Sequence, residues 1–220
     1  VFANASSLAP ITAVQIFSNG IIENLITGQK RDTTDSEKIV AAMGAGSVSA
    51  LIYSPVDLLV IQQQKLKMGP MDAIKSISST HGAHSLMRGF SACVVREAIY
   101  TAGYLGLAPV ATGRLRNMNE FFKNNETAAQ FIGSCIGGTT AAMLTHPVDT
   151  AKTCIQGDMT KTTYRTAVST IPQLYAKGGL PLLYKGGLAR TGRLCGAFFI
   201  VNVIRDGAMR YKASMLPEDN

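Results

Sequence analysis

One unit occurs twice in this sequence, and that internal repeat limits the folds available to the chain. The stretch SPVDLLVIQQQ (54–64) recurs as HPVDTAKTCIQ (146–156), with proline, valine, aspartate and glutamine at matching positions. A period of roughly 90 residues is too long for a solenoid, whose repeats run to about 50 residues. The spacing therefore predicts a larger helical unit that is used at least twice.

A second motif follows the first in each copy. LMRGF (86–90) and LYKGG (183–187) both contain a basic residue followed by glycine, and arginine stands seven positions after that glycine, as Arg96 and Arg193. Seven residues correspond to about 10 Å along a helix. The two arginines are therefore predicted at equivalent depths in the two units.

Composition indicates where such helices are placed. Hydrophobic residues make up 46% of the chain and charged residues 16%, against roughly 25% charged in ordinary soluble domains. The apolar stretches are rich in small residues, which allow membrane helices to approach closely. Polar residues among them survive where they face a bundle interior or a water-filled cavity. We therefore expect a multi-pass membrane bundle with a wet interior.

The formal charge of +7 has two explanations. No basic stripe with interleaved aromatic residues occurs, which excludes nucleic acid as a partner. Basic residues that recur between apolar segments favour contact with an anionic membrane surface, and a solvated basic face stays open as the alternative.

Each unit is predicted to contain two long helices with a short amphipathic helix between them. The first long helix carries the proline, which removes a backbone hydrogen bond and bends a helix. Residues 1–27 resemble the second long helix of a further unit. The expected long helices are 37–66, 88–112, 124–157 and 186–211, and the expected units are 1–27, 37–113 and 124–211.

The sequence gives no indication of an enzyme. No nucleophile–base pair, phosphate loop or metal-ligand spacing stands out, and the four cysteines are isolated from one another. His81 and His84 lie close together but have no carboxylate or thiol partner nearby. We therefore expect no catalytic residue, no metal and no cofactor.

These motifs resemble those of the mitochondrial carrier family, whose signature is Pro-x-[Asp/Glu]-x-x-[Lys/Arg] followed by an aromatic–basic–Gly turn. PVDTAK matches the signature fully, PVDLLV matches it in part, and MRG and YKG stand at the turn positions. The resemblance covers essentially the whole chain. It implies an all-α membrane bundle of three helix-pair repeats in the mitochondrial inner membrane, here with the first transmembrane helix missing.

The resemblance also implies a gate at the end of the bundle where the prolines lie. Asp57 is expected to form an ion pair with Lys152, and Asp149 is expected to pair with a basic residue on the missing first helix. Gln64 and Gln156 occupy the positions at which the family braces these pairs with an amide, a group that both donates and accepts hydrogen bonds.

The sequence departs from the family pattern in two places. Val60 stands where the second repeat should carry lysine or arginine, so one of the three ion pairs is lost. The family's other gate is nearly unrecognisable, with Arg205 and Asp206 in the reverse order. Strict coupled exchange is therefore in doubt.

The family's substrate contacts correspond by position to Ser7, the pair Arg96–Glu97, and Arg193, with Arg190 one helical turn before Arg193. Charges at such depth are functional-site hypotheses. The adjacent arginine and glutamate resemble those of the family's amino-acid carriers and favour an amino-acid-like substrate. A keto acid or dicarboxylate held by Arg96 and Arg193, and a purely structural pair, stay open.

Two partners besides the substrate are expected. Helix N-termini bind phosphate, so the turns at Arg88–Gly89 and Lys185–Gly186 are predicted to bind cardiolipin. The function implied is transport of a small anionic or zwitterionic metabolite across the inner membrane by alternating access. The alternative is a degenerate, carrier-like structural subunit of a larger inner-membrane assembly such as a respiratory complex, in contact with other inner-membrane proteins.

Overall fold

The computed structural model contains helices and no strand in the part of the chain that it describes. It describes residues 2–28, 31, 33–160 and 162–215, with the backbone alone at 2–10, 70, 83 and 212–215. A 3₁₀ turn spans Ala83–Met87 and a π-helical segment spans Ala102–Leu107. The α-helices are α1 (Phe2–Thr27), α2 (Asp35–Leu66), α3 (Pro70–His81), α4 (Phe90–Thr101), α5 (Ala108–Met118), α6 (Glu120–Asn124), α7 (Glu126–Gly157), α8 (Ala167–Leu183) and α9 (Gly187–Met215).

The all-α fold class is confirmed, and the long helices differ from the sequence predictions mainly at their ends. Helix α2 begins at Asp35 because Thr34 forms a capping box with Glu37, in which each side chain bonds the other residue's backbone N–H. The segment predicted at 88–112 continues to Met118 through a π-helical turn. Helix α8 is interrupted at Gly179, whose φ of 63° breaks the helix.

The two repeated prolines lie inside continuous helices, Pro55 in α2 and Pro147 in α7. Proline has no N–H, so the carbonyl four residues earlier loses its helical partner. For Pro147 that carbonyl belongs to Met143, and it accepts a hydrogen bond of 3.1 Å from the Tyr184 hydroxyl. The basic–Gly turn therefore satisfies the backbone group that the proline frees.

The long helices pack in chain order around the bundle, and glycines bring several of them close together. Helix α1 packs on α2, α2 on α4, α4 and α5 on α7, and α7 on α9. A Cβ on Gly46 would overlap the Glu97 backbone of α4, and one on Gly138 would lie 2.9 Å from the Cys195 backbone nitrogen of α9. Small residues therefore set the positions of α4 and α9.

The distribution of polar and apolar side chains is that of a membrane bundle. Ser49, Thr101 and Thr145 are fully buried, whereas many large apolar side chains are exposed. Among the described residues, two helices are long and apolar enough to cross a membrane, Asp35–Leu66 and Gly187–Tyr211. Exposed apolar side chains of α2, α7 and α9 include Val48, Leu51, Ile52, Phe131, Met143, Leu144, Ile200 and Ile204.

Candidate functional site

A cavity of about 360 Å³ lies between α2, α4, α7 and α9, at the level of the two prolines. Its described lining contains four basic side chains and two carboxylates, an excess of two positive charges. Such a lining attracts an anion, and low-dielectric walls strengthen the attraction. The lining residues are Tyr53, Val56, Asp57, Val60, Ile61, Gln64, Arg96, Asp149, Lys152, Thr153, Arg190 and Arg193.

Asp57 and Lys152 form the ion pair that the repeat predicted. Lys152 Nζ lies 2.5 Å from Asp57 Oδ2, and the lysine side chain is 3% exposed against 22% for the aspartate. The ring of Tyr53 lies between two cations, 4.8 Å from Lys152 Nζ and 4.7 Å from the Arg96 guanidinium carbon. The pair therefore links α2 to α7 beside the cavity, and an aromatic face supports both cations.

Asp149 has other partners than the sequence suggested. Its Oδ1 lies 2.9 Å from Arg96 Nε of α4, and its Oδ2 forms an ion pair with Arg190 of α9. The partner expected from the family resemblance was a basic residue on the family's first helix. Helices α4 and α9 place two guanidinium groups at the depth of Asp149, and the carboxylate pairs with both.

Arg96 and Glu97 form an ion pair with each other. Glu97 is 2% exposed, and its carboxylate accepts a 3.0 Å hydrogen bond from Gln15 Nε2 of α1. The same amide donates to Ser49 at 3.0 Å and accepts from the Tyr104 hydroxyl at 2.6 Å. Glu97 does not line the cavity, which differs from the expectation that it meets a substrate ammonium group: its charge is satisfied behind Arg96.

Arg193 differs from the other cations of the cavity. It lines the cavity with an exposed side chain, and no acidic oxygen of the described side chains lies within 4.0 Å of it. Arg190 also donates to Thr145 Oγ1 at 3.1 Å, which holds its guanidinium against α7. Ser7 lies in α1, but its side chain is outside the described residues.

The hydrogen bonds of the two brace glutamines in the described part of the chain do not include Asp57 or Lys152. Gln64 is exposed and lines the same cavity as the pair. Gln156 is buried and donates to the Arg88 carbonyl at 3.3 Å, and Gln62 donates to the Gln156 carbonyl at 2.5 Å. Two residues along α2 lead to another face of the helix, so Gln62 is the glutamine that bonds to α7.

Three aromatic rings pack together between the cavity and the end of the bundle away from the prolines. The rings of Tyr100, Tyr104 and Phe198 lie 5.2–5.6 Å apart, centroid to centroid. Nearer that end, Gln130 of α7 donates to Asp206 of α9 at 2.9 Å. Packed rings and an amide–carboxylate bond are therefore found toward the end where the family has its second gate.

Only part of the predicted lipid turns is exposed. Arg88 is 8% exposed and donates to the carbonyls of Ile155 and Tyr164, each at 2.8 Å. This corrects the expectation that its charge faces lipid, because backbone acceptors of α7 and the following loop already bind the guanidinium. Lys185 is exposed, and Gly89 and Gly186 have φ of 76° and 80°, which glycine adopts without strain.

Two residues near the cavity were missed in the sequence. Tyr53 lies four residues before Asp57, a spacing that places both on one face of α2, and this spacing was the signal for its role. No sequence signal indicates the role of Gln15. It is a polar residue in an apolar stretch, and its partners are known only when the structure brings α1, α2 and α4 together.

Comparison with known protein families then identifies the class of protein. The model of the family described as "Mitochondrial carrier protein" matches residues 32–118 and 123–212, most of the chain. The chain belongs to the mitochondrial carrier family. This carrier is a multi-pass protein of the mitochondrial inner membrane.

Three curated relatives of this carrier are proteins from fungi and an amoeba. Mitochondrial 2-oxodicarboxylate carrier 2 of Saccharomyces cerevisiae is 28% identical over 200 residues, covering 87% of this chain and 63% of that protein. Mitochondrial citrate transporter D of Aspergillus niger is 26% identical and covers 96% and 72%. A probable mitochondrial 2-oxodicarboxylate carrier of Dictyostelium discoideum is 26% identical and covers 93% and 70%. The chain thus spans about two thirds of the length of these relatives.

Proposed function

We propose that this carrier binds a small dicarboxylate of the 2-oxodicarboxylate type in the charged cavity and moves it across the inner membrane by alternating access. The observation that carries the proposal is the convergence of four basic side chains on one cavity, with two positive charges in excess. Arginine suits this purpose because its planar fork binds a carboxylate bidentately. The relatives named for 2-oxodicarboxylate and citrate support the same chemistry.

The cavity supports a dicarboxylate better than an amino acid. An ammonium group needs an available carboxylate, and Glu97 is buried and paired with Arg96 and Gln15. The two lining carboxylates, Asp57 and Asp149, are both engaged in ion pairs. Arg193 has no acidic partner among the described side chains and is therefore available for an anion.

We propose the Asp57–Lys152 pair as a gate. It links α2 to α7 at the proline level, and it borders the cavity, so water replaces each partner when the helices separate. An ion pair at a wet boundary is weak enough to open repeatedly, since the Coulomb energy falls steeply with the local dielectric constant. At the other end, separation requires the Tyr100–Tyr104–Phe198 cluster to come apart.

An anionic lipid such as cardiolipin is a second proposed ligand. A groove of about 570 Å³ lies where the second repeat meets the loop of the third, lined by His81, His84, Arg88, Gly89 and Arg165 among others. The N-terminus of α4 begins at Gly89 and offers backbone N–H groups to a phosphate. Native mass spectrometry that shows no preference for cardiolipin over a neutral lipid contradicts this assignment.

A purely structural, non-transporting role is less well supported. A subunit that only packs against others does not require a charged cavity. It also does not require an arginine without an acidic partner among the described side chains, since uncompensated charge in a membrane bundle is costly. The relatives quoted above are all named as carriers or transporters.

The test is uptake of 2-oxoglutarate by proteoliposomes that contain the full-length protein. Arg193→Gln is expected to abolish most uptake, because it removes the cavity's available cation without stranding a buried partner. Arg114→Gln is the matched control: Arg114 is 71% exposed and pairs with Asp35 on the outside of the bundle, so uptake is expected to stay near wild type. Equal uptake by the two variants, or none by the wild type across a panel of carboxylates, contradicts the proposal.

A further inference from the structure

The Asp149 carboxylate lies where a substrate carboxylate is expected to bind. One oxygen faces Arg96 and the other faces Arg190, so the group bridges guanidinium groups from two helices as a bound anion does. The three side chains are only 13–15% exposed. Water therefore competes little with this bridge.

We propose that Asp149 is an internal surrogate ligand, which fills the Arg96–Arg190 carboxylate subsite of the empty carrier and must be displaced by substrate. The proposal rests on the proposed function, because it assumes that carboxylates enter this cavity. It assigns Arg96 and Arg190 to one substrate carboxylate and Arg193 to the second.

The surroundings of the subsite favour displacement over simultaneous binding. Arg96 is held by Glu97 on one side and by the Tyr53 ring on another, and Arg190 is held by Thr145. Asp149 is the carboxylate that contacts both guanidinium groups, at Nε of Arg96 and at Nη1 of Arg190. An incoming carboxylate therefore gains these contacts only when Asp149 leaves them.

A surrogate ligand has a quantitative signature. It lowers the apparent affinity of every ligand that uses the subsite by one common factor, because the competent form is populated only when Asp149 is out of the way. A mere background charge acts differently, since removing it favours a dianion about twice as much as a monoanion by Coulomb's law. Comparing a monocarboxylate with a dicarboxylate separates the two mechanisms.

The experiment measures the dissociation constants of 2-oxoglutarate and pyruvate by calorimetry on the purified full-length carrier. Asp149→Asn is expected to tighten the binding of both anions by about tenfold or more, with an additional gain for 2-oxoglutarate because a negative charge is also removed. When each gain is divided by the gain in the control variant, the remaining factor is expected to be the same for the two anions. Asp57→Asn is the matched control: it removes the same charge from the same cavity but leaves the Arg96–Arg190 subsite filled. For this control we expect a smaller increase in affinity than for Asp149→Asn. That increase is expected to be greater for 2-oxoglutarate than for pyruvate.

Three results overturn the inference. The first is that Asp149→Asn binds the two anions with unchanged or weaker affinity although the wild type binds 2-oxoglutarate. This result leaves the proposed function intact. The second is a gain that, divided by that of Asp57→Asn, differs between the two anions, and the third is a gain equal to that of Asp57→Asn. If neither anion binds the wild type or any variant, the proposed function fails as well.

A second variant covers the case in which Asp149→Asn yields no helical protein. Asp149→Glu keeps the charge but lengthens the side chain by one methylene, which misplaces its carboxylate between the two arginines. The affinities for both anions are then expected to change by one common factor of about three or more. Unchanged or unequally changed affinities contradict the proposal.

Discussion

Replacing Gly46 by alanine tests whether the close approach of α2 and α4 positions the substrate site. A Cβ at this position would lie 2.7 Å from the Glu97 carbonyl carbon and 2.7 Å from Thr101 Oγ1, and closer still to the Glu97 oxygen. The obstructing atoms belong mainly to the backbone of α4 and cannot move aside alone. The two helices must therefore separate by roughly 0.7 Å or more to reach ordinary van der Waals contact.

The cost of that separation follows from the packing. Overpacking of a close-packed interior costs about 1–3 kcal/mol, and alanine recovers a part of this through its better helix propensity, up to about 1 kcal/mol. A net loss of about 1–2 kcal/mol is expected, which lowers the midpoint of thermal unfolding by about 2–8 °C for a chain of this size. Because Glu97 holds Arg96, 2-oxoglutarate binding is expected to weaken as well.

The assay is far-UV circular dichroism of the carrier in lipid nanodiscs at one fixed heating rate, since the chain has no tryptophan to report unfolding by fluorescence. Gly113→Ala in α5 is the matched control, because no heavy atom lies within 4 Å of a Cβ placed there. The reasoning fails if Gly46→Ala unfolds within about 1 °C of Gly113→Ala and binds 2-oxoglutarate equally well.

Further predictions concern the ion pair, the buried amide and the loop after α7. Asp57→Asn is expected to destabilise the fold by about 1–3 kcal/mol. The loss should exceed that of Lys152→Gln, because Asp57→Asn leaves the more buried partner, the lysine, without its ion pair. Parallel thermal melts of the two variants measure the difference. Gln15→Leu removes a hydrogen-bond donor from the Glu97 carboxylate. It is expected to lower the free energy of unfolding by about 1–3 kcal/mol and to weaken 2-oxoglutarate binding. A variant that binds 2-oxoglutarate with wild-type affinity contradicts this prediction. In the loop, two backbone N–H groups hold the pKa of Asp158 well below its usual range, so its stabilising effect is present at neutral pH and lost only as pH falls below the ordinary carboxyl range. The protection factors of that loop, which are exchange rates corrected for the intrinsic rate at each pH, are therefore expected to be the same at pH 7 and pH 5 in the wild type and lower in Asp158→Ala at both. Equal protection factors in the two proteins contradict the prediction.

The features that the repeat specifies could be predicted from the sequence. The two proline-containing helices and the short helices after them follow from motif spacing within two copies of one unit. The Asp57–Lys152 pair was expected from the resemblance to the mitochondrial carrier family, in which motif residues of neighbouring repeats form ion pairs.

The contacts that join three helices could not be predicted in the same way. Asp149 meets both Arg96 and Arg190 because α4, α7 and α9 converge at one depth, and the motif specifies only one helix at a time. Gln62 and Gln64 illustrate the same limit: both are polar, and helix rotation by about 200° over two residues decides which one reaches α7. Burial of Glu97 depends on Gln15, which belongs to a helix with no recognisable motif.

The contacts of Arg88 have a consequence for the order of events during biosynthesis. Its two acceptors, the carbonyls of Ile155 and Tyr164, are 67 and 76 residues further along the chain. Until α7 and the loop after it pack against this turn, the guanidinium must be solvated by water or lipid headgroups, because leaving it buried and unbonded is costly. The turn before α4 therefore reaches its final structure only after α7 has entered the bundle.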